Sequence, residues 1–314
     1  MAPDGGTPLS IAFLGPQGTF AEEALLTQPD LAALMLEPKG TIGEVLAAVA
    51  EGSVDLGFVP LENAIEGTVP ATIDGLVFDH DLFITREVVL DIHLHLMVRK
   101  GTTLAEISEI HSYPHALAQV RGWVAANLPG ARTVAANSTA EAARQLAENG
   151  ESFQAVVANR LCAELYGLEI LANEIEDHED NQTRFAVVSA TLIAEPTGHD
   201  HTSIVCFQDA DRPGSLYAIL GQFAARDINL TNLQSRPTKR GLGDYCFIID
   251  LEGHLADQVV SDCLRDLKAH LADVKFLGSY PSARPQAEQV REAVTNARIE
   301  ADEWMSSLHR RLDS

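Results

Sequence analysis

Through residues 9–190, short apolar runs alternate with stretches whose apolar positions recur every three or four residues. The run ending at Leu14 predicts a strand; a Gly15–Gly18 loop and a helix starting near Thr19 follow it. Thr41, ahead of Val45, Leu46 and Val49, predicts a capped helix over 41–50. Residues 54–60 read as a buried strand and lead into the polar segment Leu61–Val69, where Asn63 offers a donor and an acceptor, for a ligand or for an Asx turn. Residues 83–99 are strand-rich. Pro114 suits the first turn of a helix, with Ser112 just outside it and Gln119 on that helix about two turns from Ser112. A strand at 133–135, a helix whose Ser138 and Glu141 match a capping box, a strand at 154–158 and a helix over 159–166 continue the alternation. An acidic loop, Glu174 to Gln182, then runs into the apolar stretch Phe185–Val188, leaving Thr183 and Arg184 at the junction.

Strand and helix in alternation predict α/β architecture. Thr19, Asn63, Ser112, Ser138 and Thr183 each follow or begin a strand, and their recurrence predicts one cleft fed by several loops. Taken singly, Thr19 and Ser138 also read as helix caps, and Thr183 and Arg184 as an ordinary strand start.

Residues 191–201 read as a linker. Beyond it the order is strand (202–208), helix to about Arg226, strand (228–236), a Gly241–Gly243 turn, strand (244–251), helix (255–272) and strand (274–280). That βαββαβ order is the ferredoxin-like plan. Gly214 opens its first helix, where backbone amides suit a small ligand's carboxylate. In the charged tail, 285–314, Val290, Val294, Ala297, Ala301, Trp304 and Leu308 recur at 4-3 spacing and predict a helix packed on the body or on a partner subunit.

A formal net charge of -23 argues against nucleic acid and anionic membranes as partners. It also means that an anionic ligand needs placed arginines and amides. No apolar run reaches membrane-span length, and Met1–Pro8 lacks the basic and apolar regions of a secretion signal. The cysteines, Cys162, Cys206, Cys246 and Cys263, show no CxxC spacing, which suits reduced thiols in a cytoplasmic protein. His93 and His95 alternate on one strand without an evident third ligand, so no metal is expected.

Five segments in order resemble the prephenate dehydratase family: Gly15-Pro16-Gln17-Gly18-Thr19-Phe20; Val59-Pro60-Leu61-Glu62-Asn63 with Gly67-Thr68-Val69; Ser112-Tyr113-Pro114 with Gln119; Asn137-Ser138-Thr139-Ala140; and Asn181-x-Thr183-Arg184-Phe185. Residues 202–280 resemble an ACT regulatory domain through Gly214-Ser215-Leu216-Tyr217 and Gln234-Ser235-Arg236-Pro237. The sequence departs from the family pattern at Tyr113, His115, Ala64 and Gln234. The resemblance implies a two-lobed catalytic domain like a periplasmic binding protein (9–190), an ACT domain (202–280) and a C-terminal helical extension (285–314). The chain would cross between lobes near 84–92 and 172–182.

It also implies conversion of prephenate to phenylpyruvate with loss of water and carbon dioxide, without metal or cofactor, under feedback by L-phenylalanine in a homodimer or homotetramer. Thr183, Ser112, Asn63 and Gln119 carry over as catalytic residues. Thr19, Ser138, Arg184 and Phe185 carry over as substrate-binding, with Phe185 walling the cleft. Gly214, Ser215, Leu216, Gln234, Ser235 and Arg236 carry over to the effector. The rival readings are an arogenate dehydratase and a non-catalytic amino-acid-sensing binding protein.

Overall fold

The computed structural model describes residues 9–178, 180–207, 213–239, 244–270 and 273–283. The expected tail helix and the Gly241–Gly243 turn lie outside them. Two compact units result: one runs up to Leu82 and resumes over Val88–Thr191, and the other comprises Phe83–Glu87 and the chain from Leu192 onward.

The first unit holds two lobes. In the first lobe, β1 (Ser10–Leu14) leads to α1 (Phe20–Leu26), α2 (Pro29–Ala32), β2 (Met35–Lys39), α3 (Ile42–Ala50), β3 (Leu56–Asn63), β4 (Gly67–Thr68), α4 (Pro70–Asp74) and β5 (Phe83–Asp91). The second lobe runs from β6 (His95–Val98) and β7 (Glu109–Ser112) through α5 (Pro114–Gln119), α6 (Arg121–Asn127) and β8 (Arg132–Ala135). It ends with α7 (Thr139–Asn149), β9 (Gln154–Ala158), α8 (Arg160–Tyr166) and β10 (Glu169–Ala172). The chain then returns to the first lobe as β11 (Gln182–Ser189). The sheet orders are β2-β1-β3-β11-β5, with β4 on β3, and β10-β6-β9-β7-β8. The chain leaves the first lobe between Asp91 and His95, at the far end of the expected 84–92 stretch because most of that stretch is β5, and returns between Ala172 and Gln182; β11 lies antiparallel to β3 with Thr183 opposite Asn63.

Local chemistry explains these boundaries. Thr19, Thr41 and Ser138 each accept a hydrogen bond from the amide three residues on, capping α1, α3 and α7. The helix expected from Pro114 through Gln119 is α5, and the chain breaks at Val120 (φ -114, ψ 10) before α6. Its Val120 side chain is fully buried in a core with Leu94, Ile110 and Val157. β11 is central and packed on both faces: Phe185 and Val187 join Ile11, Phe13 and Leu25, while Val188 meets Gly57. A Cβ at Gly57 would stand 2.9 Å from Val188 and Val49, so only glycine lets the helix and β11 close over β3 there.

In the second unit β12 (Asp200–Phe207), α9 (Ser215–Ala224), β13 (Leu230–Pro237), β14 (Tyr245–Glu252), α10 (Gln258–His270) and β15 (Asp273–Pro281) form a sheet ordered β13-β14-β12-β15. Ile204, Phe247, Ile249 and Leu251 pack under Ile219, Phe223, Val260 and Leu267 of the helices. This is the ferredoxin-like plan. The linker is shorter than its polarity suggests, because Asp200 and His201 are strand residues, each 2% exposed. Asp200 accepts from the Thr197 and Gly198 amides at 3.0 Å, and His201 stands 3.7 Å from the Glu87 carboxylate. A buried carboxylate with hydrogen-bond donors of this kind, as Asp200 has, is stable in a core.

Candidate active site

The site is built where β3, β11 and α5 bring side chains of both lobes together. Register places Thr183 beside Asn63. Asn63 Nδ2 donates to Thr183 Oγ1 (2.9 Å), to Asn181 Oδ1 (2.8 Å) and to the Gln182 carbonyl (3.1 Å). Its Oδ1 accepts from the Ile65 and Glu66 amides, both at 3.0 Å. The Asx turn is thus made by the oxygen of the Asn63 amide, while its nitrogen faces Asn181, Thr183 and the Gln182 carbonyl. Asn181, 1% exposed, donates through Nδ2 to Gln119 Oε1 on the second lobe (3.0 Å), while its carbonyl accepts from Ile92 N (2.8 Å). Arg184 is carried on the same strand and places Nη2 3.3 Å from Glu62 Oε2.

Further bonds join the lobes. Asn159 Nδ2 donates to Glu23 Oε2 (3.0 Å), Tyr166 donates through its hydroxyl to Gln17 O (2.9 Å) and Cys162 Sγ to Gly18 O (3.1 Å). Burial lifts the Glu23 carboxyl above the ordinary carboxylate value, against the opposing pull of its Asn159 bond. Burial likewise pushes the Cys162 thiol up to about 12, which keeps it protonated. At two of the four departures from the family pattern, Tyr113 stacks on His115, and His115 Nδ1 meets Glu66 Oε2 at 2.8 Å.

Thr183, Asn63 and Gln119 are therefore assembled into one network, with Arg184 beside it. Four expected site residues have other partners. Ser112 is fully buried and its hydroxyl donates to Val157 O (2.6 Å). Thr19 donates to Leu14 O (2.9 Å) and caps α1; Ser138 caps α7 at 2.9 Å. Phe185 does not wall the cleft: it is 2% exposed and stacked on Phe58 (5.1 Å between centroids, 9° between planes) in the core of the first lobe. Its alternation along β11 places it on the same face as Val187, beneath the helices. Asn181 went unassigned in the sequence reading, although it lies inside the Thr-Arg-Phe motif; its partners are 118 and 62 residues away. Among the described residues no group of three or more histidine, cysteine or acidic side chains is placed to hold a metal ion. None of the described helices is long and apolar enough to cross a membrane.

In the second unit, Gly214 adopts a left-handed conformation (φ 89°) at the start of α9, with nothing within 4 Å of where a Cβ would stand. Gln234, Ser235 and Arg236 lie on β13, the edge strand beside β14. Gln234 Oε1 is buried without a hydrogen-bond partner.

Two α/β lobes meeting at a hydroxyl–amide network, followed by a ferredoxin-like unit, are the plan of a small-molecule-binding protein with an attached second domain. Residues 11–192 match the prephenate dehydratase family and residues 202–269 the ACT domain. A prephenate dehydratase of Amycolatopsis methanolica is 42% identical over 303 residues, covering 96% of this chain and 98% of that one. The crystal structure of prephenate dehydratase from Arthrobacter aurescens in complex with L-Phe superposes with a TM-score of 0.82 at 38% identity, covering 93% of this chain and 99% of the other. A structure described as GqqA, a novel type of quorum-quenching acylase, gives 0.78 at 32% identity, covering 87% and 98%. The chain belongs to the prephenate dehydratase family: it is a hydro-lyase that converts prephenate to phenylpyruvate, carrying an ACT regulatory domain.

Proposed function

We propose that Thr183 supplies the hydrogen bond that lets the ring hydroxyl of prephenate leave. The carrying observation is the position of its Oγ1, 2.9 Å from Asn63 Nδ2 at the meeting of the lobes and 9% exposed. The reaction expels hydroxide from one end of the ring and carbon dioxide from the other, and aromatisation drives it. A threonine hydroxyl is a poor acid at pH 7, so its contribution is electrostatic stabilisation with proton delivery coupled to departure. One such donor is worth on the order of 10² to 10³ in rate. Arg184 and Gln119 supply donors for the substrate's two carboxylates. Ser112, Thr19, Ser138 and Phe185 serve the site through the frame they hold: a β7–β9 tie, two helix starts and the packing beneath β11.

The catalytic domain in this reading is 9–190 and the regulatory domain 202–280, in a cytoplasmic enzyme. L-phenylalanine is the effector. Its carboxylate meets the amides opened by Gly214, Ser215 and Leu216, and its ammonium donates to the unused Gln234 Oε1, with Ser235 and Arg236 alongside. The effector site takes two chains, which makes the enzyme a homodimer or homotetramer. An acyl-transfer reading has less support, because neither Ser112, Ser138 nor Thr183 hydrogen-bonds an imidazole.

The test is phenylpyruvate formation from prephenate, followed by ultraviolet absorbance in alkali, with and without phenylalanine, for wild type and Thr183→Ala. Wild-type turnover suppressed by phenylalanine, and a Thr183→Ala protein that is folded and slower by about 10² or more, is the expected result. Unimpaired Thr183→Ala turnover would sink the assignment. Faster conversion of arogenate than of prephenate would replace the substrate.

A further inference from the structure

We infer that Asn181 is a positioning residue that carries the hydrogen-bond direction fixed at Asn63 across to the second lobe, so that Gln119 faces the substrate as a donor alongside Thr183. The inference deepens the Thr183 reading and rests on it.

A carboxamide fits most sites in two orientations, so the direction of a chain of amides must be fixed by a group that only donates. Here that group is the backbone. The Ile65 and Glu66 amides both point at one terminal atom of Asn63 at 3.0 Å, which makes that atom the oxygen. The other atom is then Nδ2, and it faces acceptors only: Asn181 Oδ1, Thr183 Oγ1 and the Gln182 carbonyl. Thr183 receives from Asn63, so its single proton is left for another partner. Asn181 turns its Oδ1 to Asn63 and therefore its Nδ2 to Gln119 Oε1 at 3.0 Å. Gln119 is then held with its Nε2 directed away from Asn181.

Asn181 can do this because it is 1% exposed and pinned by Ile92 N on its carbonyl. Water does not compete for its amide, and turning it over would set oxygen against carbonyl oxygen at Gln119 and N–H against N–H at Asn63. Both ends of the chain thus present donors. That polarity matches a substrate with two carboxylates and a leaving hydroxyl, and it exists before substrate arrives, as electrostatic preorganisation requires.

Asn181→Asp tests the direction without changing the shape. When ionised, the new carboxylate accepts at both oxygens, so Gln119 turns over and shows its carbonyl to the substrate carboxylate. When protonated, it accepts from Asn63 with one oxygen and donates to Gln119 with the other, restoring the native polarity. Burial raises the pKa of such a carboxyl, so the change falls in a usable range.

The readout is the ratio of kcat/KM, variant over wild type, from about pH 5.5 to about pH 8.5, a window that brackets a carboxyl raised by burial, with the uncatalysed rate subtracted at each pH. The Asp91–Gln182, Glu62–Arg184 and Glu66–His115 contacts nearby are common to both proteins, so the ratio removes their titration. We expect a ratio of about 10⁻² at the alkaline end, carried largely by KM, rising at least about tenfold toward the acid end. A flat ratio in a folded variant would overturn the inference. If Asn181→Asp does not fold, Gln119→Glu carries the same signature, because its carboxyl, once protonated, both accepts from Asn181 and donates to the cleft; a flat ratio there overturns it equally. Thr183→Ala stands apart: full turnover in that variant removes the Thr183 assignment and leaves the Asn181 ratio to be judged alone.

Discussion

Phe185 is the residue on which the motif and the packing disagree, and substitution there separates them. Membership of the Thr-Arg-Phe signature suggests a wall of the substrate cleft. The structure buries the ring to 2% exposure, face to face with Phe58 and surrounded by Ile11, Phe13, Leu25 and Val88. Phe185→Leu keeps most of the apolar volume and loses the ring pair, a cost of about 1–1.5 kcal/mol. Phe185→Ala leaves a cavity under β11 and costs about 3–5 kcal/mol. Urea unfolding followed by circular dichroism reads the loss of stability, and prephenate kinetics on the folded protein reads any contact with substrate. The expected Phe185→Leu protein has a lower unfolding midpoint and a KM within about twofold of wild type, because a side chain that touches no substrate contributes nothing to binding it. A variant that unfolds like wild type but shows a KM about tenfold higher would place the ring against substrate and refute the packing argument.

Two further outcomes follow from local geometry. Gly278 (φ 140°) sits at an irregularity where β15 pairs β12, and a Cβ there would collide with the Ile84 carbonyl. Gly278→Ala should therefore cost about 2–5 kcal/mol, measured as a fall in the unfolding midpoint. Glu23 has its folded pKa raised by burial above the ordinary carboxylate value. The folded state then binds more protons than the unfolded state, so this group's contribution is fully present below its unfolded pKa and is lost as pH rises through its folded pKa. Glu23→Gln should remove that acid-side slope and leave the variant more stable than wild type at neutral pH. A thermal-melt series against pH with parallel curves for the two proteins would contradict the assignment.

Much of the molecule is legible along the chain because its causes are local. A hydroxyl three residues ahead of a free amide caps a helix wherever it occurs, so Thr19, Thr41 and Ser138 announce α1, α3 and α7. Uniformly apolar runs between amphipathic ones announce buried strands under helices, and the change to βαββαβ order announces the second architecture. The motif residues Asn63, Gln119 and Thr183 are visible as types at a spacing, with the chemistry those types allow.

Tertiary structure decided the rest, because the deciding partners are distant in sequence. Alternation says that Phe185 and Thr183 share a face of β11, but only the packing of α1 over that face divides core from cleft. Asp200 and His201 read as linker by polarity and become strand: the Thr197 and Gly198 amides satisfy the Asp200 carboxylate, and His201 is buried 3.7 Å from the Glu87 carboxylate. Asn181 acquires its part only when β3 and α5, far apart along the chain, close on either side of it. A hydrogen bond's direction depends on which donor faces which acceptor, and that pairing is a property of the folded chain.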